Sequence, residues 1–162
     1  MIDLWPTVPT LLAANNYLVL ATTTPSGVPW VTPLFFGVID EHELVWVSSE
    51  ESRHSRNIAT SPAVAATVFD SHAPIGRAEA VYLEGMVDRL PDDRIDLGLD
   101  VLNRRLPVAQ RLDRVDVNGP GLLRAFRLRV SAISVLIRGG DPRFDNPLDT
   151  RLGVEPPEGV QP

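Results

Sequence analysis

The stretch Val45-Trp46-Val47-Ser48-Ser49-Glu50-Glu51-Ser52-Arg53-His54-Ser55-Arg56-Asn57-Ile58 reads as an apolar strand running directly into a short helix. Strand ends that meet a helix N-terminus offer unpaired backbone N–H groups and the positive end of the helix dipole. Ser48, Ser49 and Ser52 add hydroxyl donors there, and Arg53 can grip a phosphate through two parallel hydrogen bonds. A plainer reading is a capped surface helix, with Ser49 as N-cap, Glu50 and Glu51 favouring the dipole, and the arginines solvated. On local pattern alone the capped helix is the better reading.

The chain around this junction reads as strands. Tyr17 to Thr24 is a β-branched, mostly apolar run, closed by the turn Pro25-Ser26-Gly27. Val28 to Val38 returns as a second strand, and Pro29 and Pro33 place it at a sheet edge, because proline cannot donate a ladder hydrogen bond. Leu44 to Ser48 is a third strand, which makes a meander. The helix is expected over Glu50 to Thr60, stopping before Pro62. Ala63 to Phe69 is a fourth strand. In Ala80 to Leu90, Val81, Leu83, Gly85 and Val87 alternate with Tyr82, Glu84, Met86 and Asp88, with Gly85 at a bend. Leu122 to Arg138 is the sixth strand. Helices are expected at Thr7 to Asn15, with Thr7 as N-cap, and after Pro91, where Ile95, Leu99 and Leu102 fall at helical spacing. Residues 139–162 form an irregular, proline-rich tail. Six strands with helices inserted at two places, without alternating βαβ units, give a single α+β domain over 1–162 built on an antiparallel barrel.

Composition narrows the chemistry. The chain has 162 residues, 44% of them hydrophobic, enough for one self-sufficient core. There is no cysteine, which removes disulfides, thiolate metal sites and cysteine nucleophiles. All 15 basic residues are arginine, so lysine Schiff-base chemistry is also removed. The net charge of −6 argues against nucleic acid as the main partner. No apolar run is long enough to span a bilayer and no signal peptide is visible, so the expected location is the cytoplasm. His42 and His72 read as solvated, and Asp92, Asp93 and Asp96 as helix-start residues rather than a metal site. Trp30 and Trp46 read as core or interface packing, with flavin stacking the lesser alternative. Gly119-Pro120-Gly121 and Gly139-Gly140 read as turns.

In order, Leu20-Ala21-Thr22, Gly27-Val28-Pro29-Trp30-Val31-Thr32-Pro33, Ser52-Arg53-His54-Ser55-Arg56-Asn57-Ile58 and Ser61-Pro62-Ala63-Val64 resemble the pyridoxamine 5′-phosphate oxidase-like family of flavin-binding split β-barrels. The resemblance implies a homodimer that binds FMN at the subunit interface and acts on a small-molecule substrate. It places the cofactor against Thr32, Pro33, Leu34, Val47, Ser48, Ser52, Arg53, His54 and Asn57. The phosphate would lie on Ser48, Ser52, Arg53 and His54, and the ring along Thr32-Pro33-Leu34. His54 stands where the family usually has lysine. Thr32 and Gly37 stand where true pyridoxamine phosphate oxidases carry an arginine and a substrate-binding lysine. The expected function is therefore an FMN-dependent oxidoreductase other than a vitamin B6 oxidase, with no side-chain catalyst named. The alternatives are a deazaflavin-dependent reductase and a non-catalytic flavin or haem carrier on the same fold.

Overall fold

The computed structural model describes residues 2–157; the last five residues of the expected tail lie outside the described residues. The elements, in order, are α1 (Thr7–Ala14), β1 (Tyr17–Thr23), β2 (Pro29–Phe35), β3 (Gly37–Asp40), β4 (Glu43–Ser49), α2 (Arg53–Thr60), β5 (Ala63–Phe69) and β6 (Ala80–Arg89). They continue as α3 (Ile95–Asn103), α4 (Arg114–Asn118), β7 (Leu123–Ile137) and β8 (Thr150–Gly153). Every strand pairing is antiparallel, and the sheet runs β2-β1-β5-β6-β7-β4-β3 with β8 added on β7. The α+β class and the antiparallel sheet agree with the sequence reading.

The strand count does not: eight strands replace the expected six. The run Val28 to Val38 breaks at Phe36, so that its first part pairs with β1 and its second with β4. The sheet's two edges are thus consecutive pieces of one chain run, and the sheet curls back on itself. The meander is correspondingly interrupted at its middle strand. Pro29 and Pro33 do lie on an edge strand, opposite Thr23 and Val19.

The second extra strand is β8, in the tail expected to be irregular. Asn146 Nδ2 donates to the Arg138 carbonyl at 2.8 Å and the Leu148 carbonyl at 3.1 Å, which folds the chain back after Ile137. Asp141 and Arg143 brace the same turn, and Val154 is buried beyond it. These are single side-chain bonds with no periodicity, so a pattern search passes over them.

The curled sheet encloses the main core, in which Leu18, Leu20, Phe36, Leu44, Trp46, Val68, Val81 and Leu128 are essentially inaccessible. Trp46 stacks on Phe126 at 6.2 Å, an arrangement worth about 0.5–1.5 kcal/mol beyond area burial. A second cluster, with Val45, Leu90, Leu99, Leu102 and Val117, packs α3 and α4 on the outer face of β4. Along β6 the predicted alternation holds, with Leu83 and Val87 buried and Glu84 and Met86 exposed. The pairing of β6 with β7 shifts register between Glu84 and Gly85, as expected for the bend.

Two helix starts differ from the expectation. Pro6, not Thr7, occupies the N-cap position of α1, and no side chain caps it. The second helix begins at Arg53 rather than Glu50, and Ser52, not Ser49, caps it. Glu50 is drawn away: its N–H donates to the Leu122 carbonyl at 3.0 Å, and its carboxylate pairs with Arg89 and Arg124. No helix among the described residues is long and apolar enough to cross a membrane.

A Cβ on Gly85 would stand 2.1 Å from the Arg129 carbonyl oxygen, a backbone atom that cannot step aside cheaply. Gly85→Ala is expected to cost about 3 kcal/mol by overpacking. A denaturant midpoint equal to that of the parent chain would contradict this placement of the bulge.

Candidate functional site

The strand-to-helix junction gathers Ser48, Ser52, His54 and Ser55. β4 delivers Ser48 to the inner side of the sheet, and Ser52 caps α2 in extended conformation, accepting from the Ser55 N–H. His54 Nε2 lies 2.9 Å from Ser48 Oγ and 3.0 Å from Ser52 Oγ. The Ser52 hydroxyl donates its single proton to Ser55 Oγ at 2.8 Å. It can therefore only accept from His54, which puts the imidazole proton on Nε2 and leaves the Ser48 proton free. Ser48, His54 and Ser55 are all buried. Burial lowers the His54 pKa below its ordinary 6.5, so the ring is neutral near pH 7.

The donor set suits an anion. Arg53 and His54 occupy the first two helical positions, where backbone N–H groups have no intrahelical acceptor. No hydrogen bond to either N–H occurs among the described residues. The Arg53 guanidinium is exposed and pairs with no carboxylate among the described residues. One free hydroxyl, two free N–H groups, the helix dipole and an unpaired guanidinium together fit a phosphate.

The other expected residues divide. Thr32 and Leu34 lie on the inner side of β2 opposite Leu20 and Leu18, while Pro33 points outward, exposed. Because β2 is an edge, one of its hydrogen-bonding sides stays open to a ligand. Val47 is turned away from the junction into the packing under α3, so only its backbone borders the site. Asn57 sits a turn further along α2, where its Nδ2 donates to Thr22 Oγ1 at 3.0 Å in a buried bond. It ties α2 to β1.

One residue read mainly as packing borders the site. Trp30 holds the Arg53 guanidinium over its ring at 4.3 Å. The two are far apart in sequence, and two links unite them: Asn57 anchors α2 on Thr22, and Thr22 pairs with Trp30 across the sheet. A tryptophan beside Pro29, in a run whose prolines mark an edge strand, is the hint the sequence offers.

Gly37 is buried, and a Cβ there would lie 2.9 Å from Val101 Cγ2 of α3. The place where true pyridoxamine phosphate oxidases carry a lysine is therefore filled by helix packing. A concavity of about 440 Å³ lies elsewhere, between Trp5, Val8 and Leu12 of the N-terminal segment, Val38, and Val101 and Arg105. The junction is a surface site by comparison. Among the described residues no cluster of three histidine, aspartate or glutamate side chains could hold a metal.

Comparison with known proteins agrees with the fold. Residues 4–135 match the family model described as pyridoxamine 5′-phosphate oxidase. The YhbP protein of Escherichia coli is 27% identical over 101 residues, covering 61% of this chain and 68% of YhbP. An F420 reductase structure superposes with a TM-score of 0.57 at 28% identity, covering 76% of this chain and 93% of that one. An FAD-binding protein from Mesorhizobium loti superposes with a TM-score of 0.61 at 21% identity, covering 83% of this chain and 94% of that one. With the family model spanning most of its length and the same fold recurring in cofactor-binding relatives, the chain belongs to the pyridoxamine 5′-phosphate oxidase family.

Proposed function

We propose that the protein is an FMN-dependent oxidoreductase, with the cofactor phosphate at the β4–α2 junction and the ring along the open edge of β2. The observation that carries this reading is the junction itself, which brings together the free Ser48 hydroxyl, the unpaired first N–H groups of α2 and an Arg53 guanidinium with no carboxylate partner among the described residues. The flavin would supply hydride or electron transfer, and the chain's residues would bind and orient it. Ser48 donates its free hydroxyl proton, Arg53 supplies the charge, and α2 aims its first N–H groups at the phosphate. Gly37, closed over by α3, argues for a substrate other than a pyridoxine phosphate.

We further propose a homodimer, assembled through the outer face of β1, β2, β5 and β6. Tyr17, Val31, Phe69 and Met86 share that face by register and are all exposed. Exposed apolar side chains gathered on one sheet face support an interaction surface there. The second reading is a deazaflavin-dependent reductase. It is favoured by the 28% identity to an F420 reductase over most of both chains.

Purified protein reconstituted with FMN is expected to show bound-flavin absorption bands, and NADH or NADPH to bleach them. Binding of F420 but not FMN would transfer the assignment to the second reading. Arg53→Ala is expected to weaken FMN binding about tenfold or more, because a charge-assisted hydrogen bond contributes about 1.5–3 kcal/mol. Titration calorimetry gives the comparison, and equal affinities would remove the phosphate from this junction.

His54 generates two opposed pH slopes. Its pKa in the free fold lies below 6.5, so below that pH the unfolded chain takes up the proton more readily. The stability it contributes is complete above 6.5 and is lost as pH falls toward the folded value. A bound phosphate dianion favours the charged ring, so cofactor affinity should move the other way and rise as pH falls through the same window. In His54→Gln both slopes should flatten between about pH 5 and pH 7, measured by urea denaturation and FMN titration. Parent-like slopes in that variant would show that another group is titrating.

A further inference from the structure

Trp30 is the residue at the junction whose placement packing alone does not explain. It stands on the inner side of an edge strand, yet remains 38% exposed instead of joining the core. Its ring face is covered by a cation and not by an apolar neighbour, with the Arg53 guanidinium carbon 4.3 Å from the centroid. That guanidinium makes no hydrogen bond or ion pair among the described residues. Arg127, by contrast, is fixed by Asp88 at 2.9 and 3.0 Å and Arg143 by Asp141 at 2.8 Å, while Arg151, 4.5 Å over the Tyr82 ring, shares the aromatic-only arrangement away from the junction. A free arginine samples many rotamers, and ordering it on binding costs affinity. An aromatic face orders the plane while consuming none of the five N–H donors, which lie in that plane.

We propose that Trp30 is a positioning residue that selects for phosphate-bearing ligands by holding the Arg53 donor edge in place. The inference rests on the reading of the junction as a phosphate site. It adds that discrimination between a phosphorylated cofactor and its phosphate-free counterpart depends on a residue that touches neither phosphate nor ring. Phenylalanine offers a smaller but usable face for the guanidinium, whereas leucine offers no quadrupole.

The test uses FMN and riboflavin as probes, titrated against the full chain and the variants Trp30→Leu, Trp30→Phe, Arg53→Ala and the double variant Trp30→Leu/Arg53→Ala. Trp30→Leu is expected to weaken FMN about three- to tenfold, leaving riboflavin affinity unchanged, with most of the loss restored in Trp30→Phe. In the Arg53→Ala background the leucine substitution should cost nothing further, because the group it positions is gone. Equal losses for FMN and riboflavin would mean that Trp30 contacts the ring, and would overturn the proposal. So would an undiminished loss in the double variant. If the parent chain itself does not prefer FMN to riboflavin, the phosphate reading of the junction fails and this proposal with it. If Arg53→Ala abolishes the preference but Trp30→Leu leaves it intact, only the positioning role fails. Thermal melts of each variant identify any loss that arises from unfolding.

Discussion

Phe36 is completely buried between two strands that belong to one chain run, and that run supplies both edges of the sheet. The constraint is severe. Residues 29–35 must hold β1, residues 37–40 must hold β4, and the bend between them must fit inside the core. Gly37 meets the last condition from outside, because α3 packs so closely that a Cβ would collide with Val101. An edge strand is normally a liability, open to pairing with other chains. Here curling brings the two edges to adjacent points of one backbone, and prolines blunt the exposed one.

The site is a by-product of that closure. α2 lies across β1 and β2, anchored by the buried Asn57–Thr22 bond. Its first turn consequently meets the end of β4 on one side and Trp30 of β2 on the other. Charge is sorted in the same step. Glu50, next to the junction in sequence, is neutralised by Arg89 and Arg124, and Asp88 is held by Arg127 and Arg129. A chain with a net charge of −6 thereby keeps one unpaired guanidinium at its helix N-terminus. Glu50 and Asp88 are thus engaged away from Arg53, and Glu51 remains exposed without an ion pair among the described residues.

Much of this was legible in the residues. Alternation along β6, the prolines of β2 and the bend at Gly85 each express a local rule that the fold obeys. The features that escaped are those decided by distant partners. Val28 to Val38 is apolar apart from Thr32, and nothing local marks Phe36 as the break, because the break follows from which strand each half pairs with. Glu50 and Glu51 look like first-turn acids of a helix, yet Glu50 belongs to the sheet side through Leu122 and two arginines. The tail strand depends on Asn146, one amide serving several carbonyls. Ser48, Ser52 and His54 were visible as a cluster from spacing alone, whereas Val47 and Asn57 were assigned to a surface from which their side chains turn away.

The position of β7 has a temporal meaning. Its fifteen residues pair with β6, β4 and β8, so it is the partner that β4 and β6 both lack until it arrives. It is also synthesised after both of them, beginning only at Leu123. During translation β4 and β6 must wait with apolar faces and unpaired backbone exposed, since their closing contacts are far apart in sequence, as between Asp88 and Arg127 or Ser49 and Leu123. Such non-local pairing slows folding and prolongs exposure to aggregation. A ribosome that releases this chain late, or a chaperone that shields the first hundred residues, would shape its yield in the cell as strongly as any single core contact.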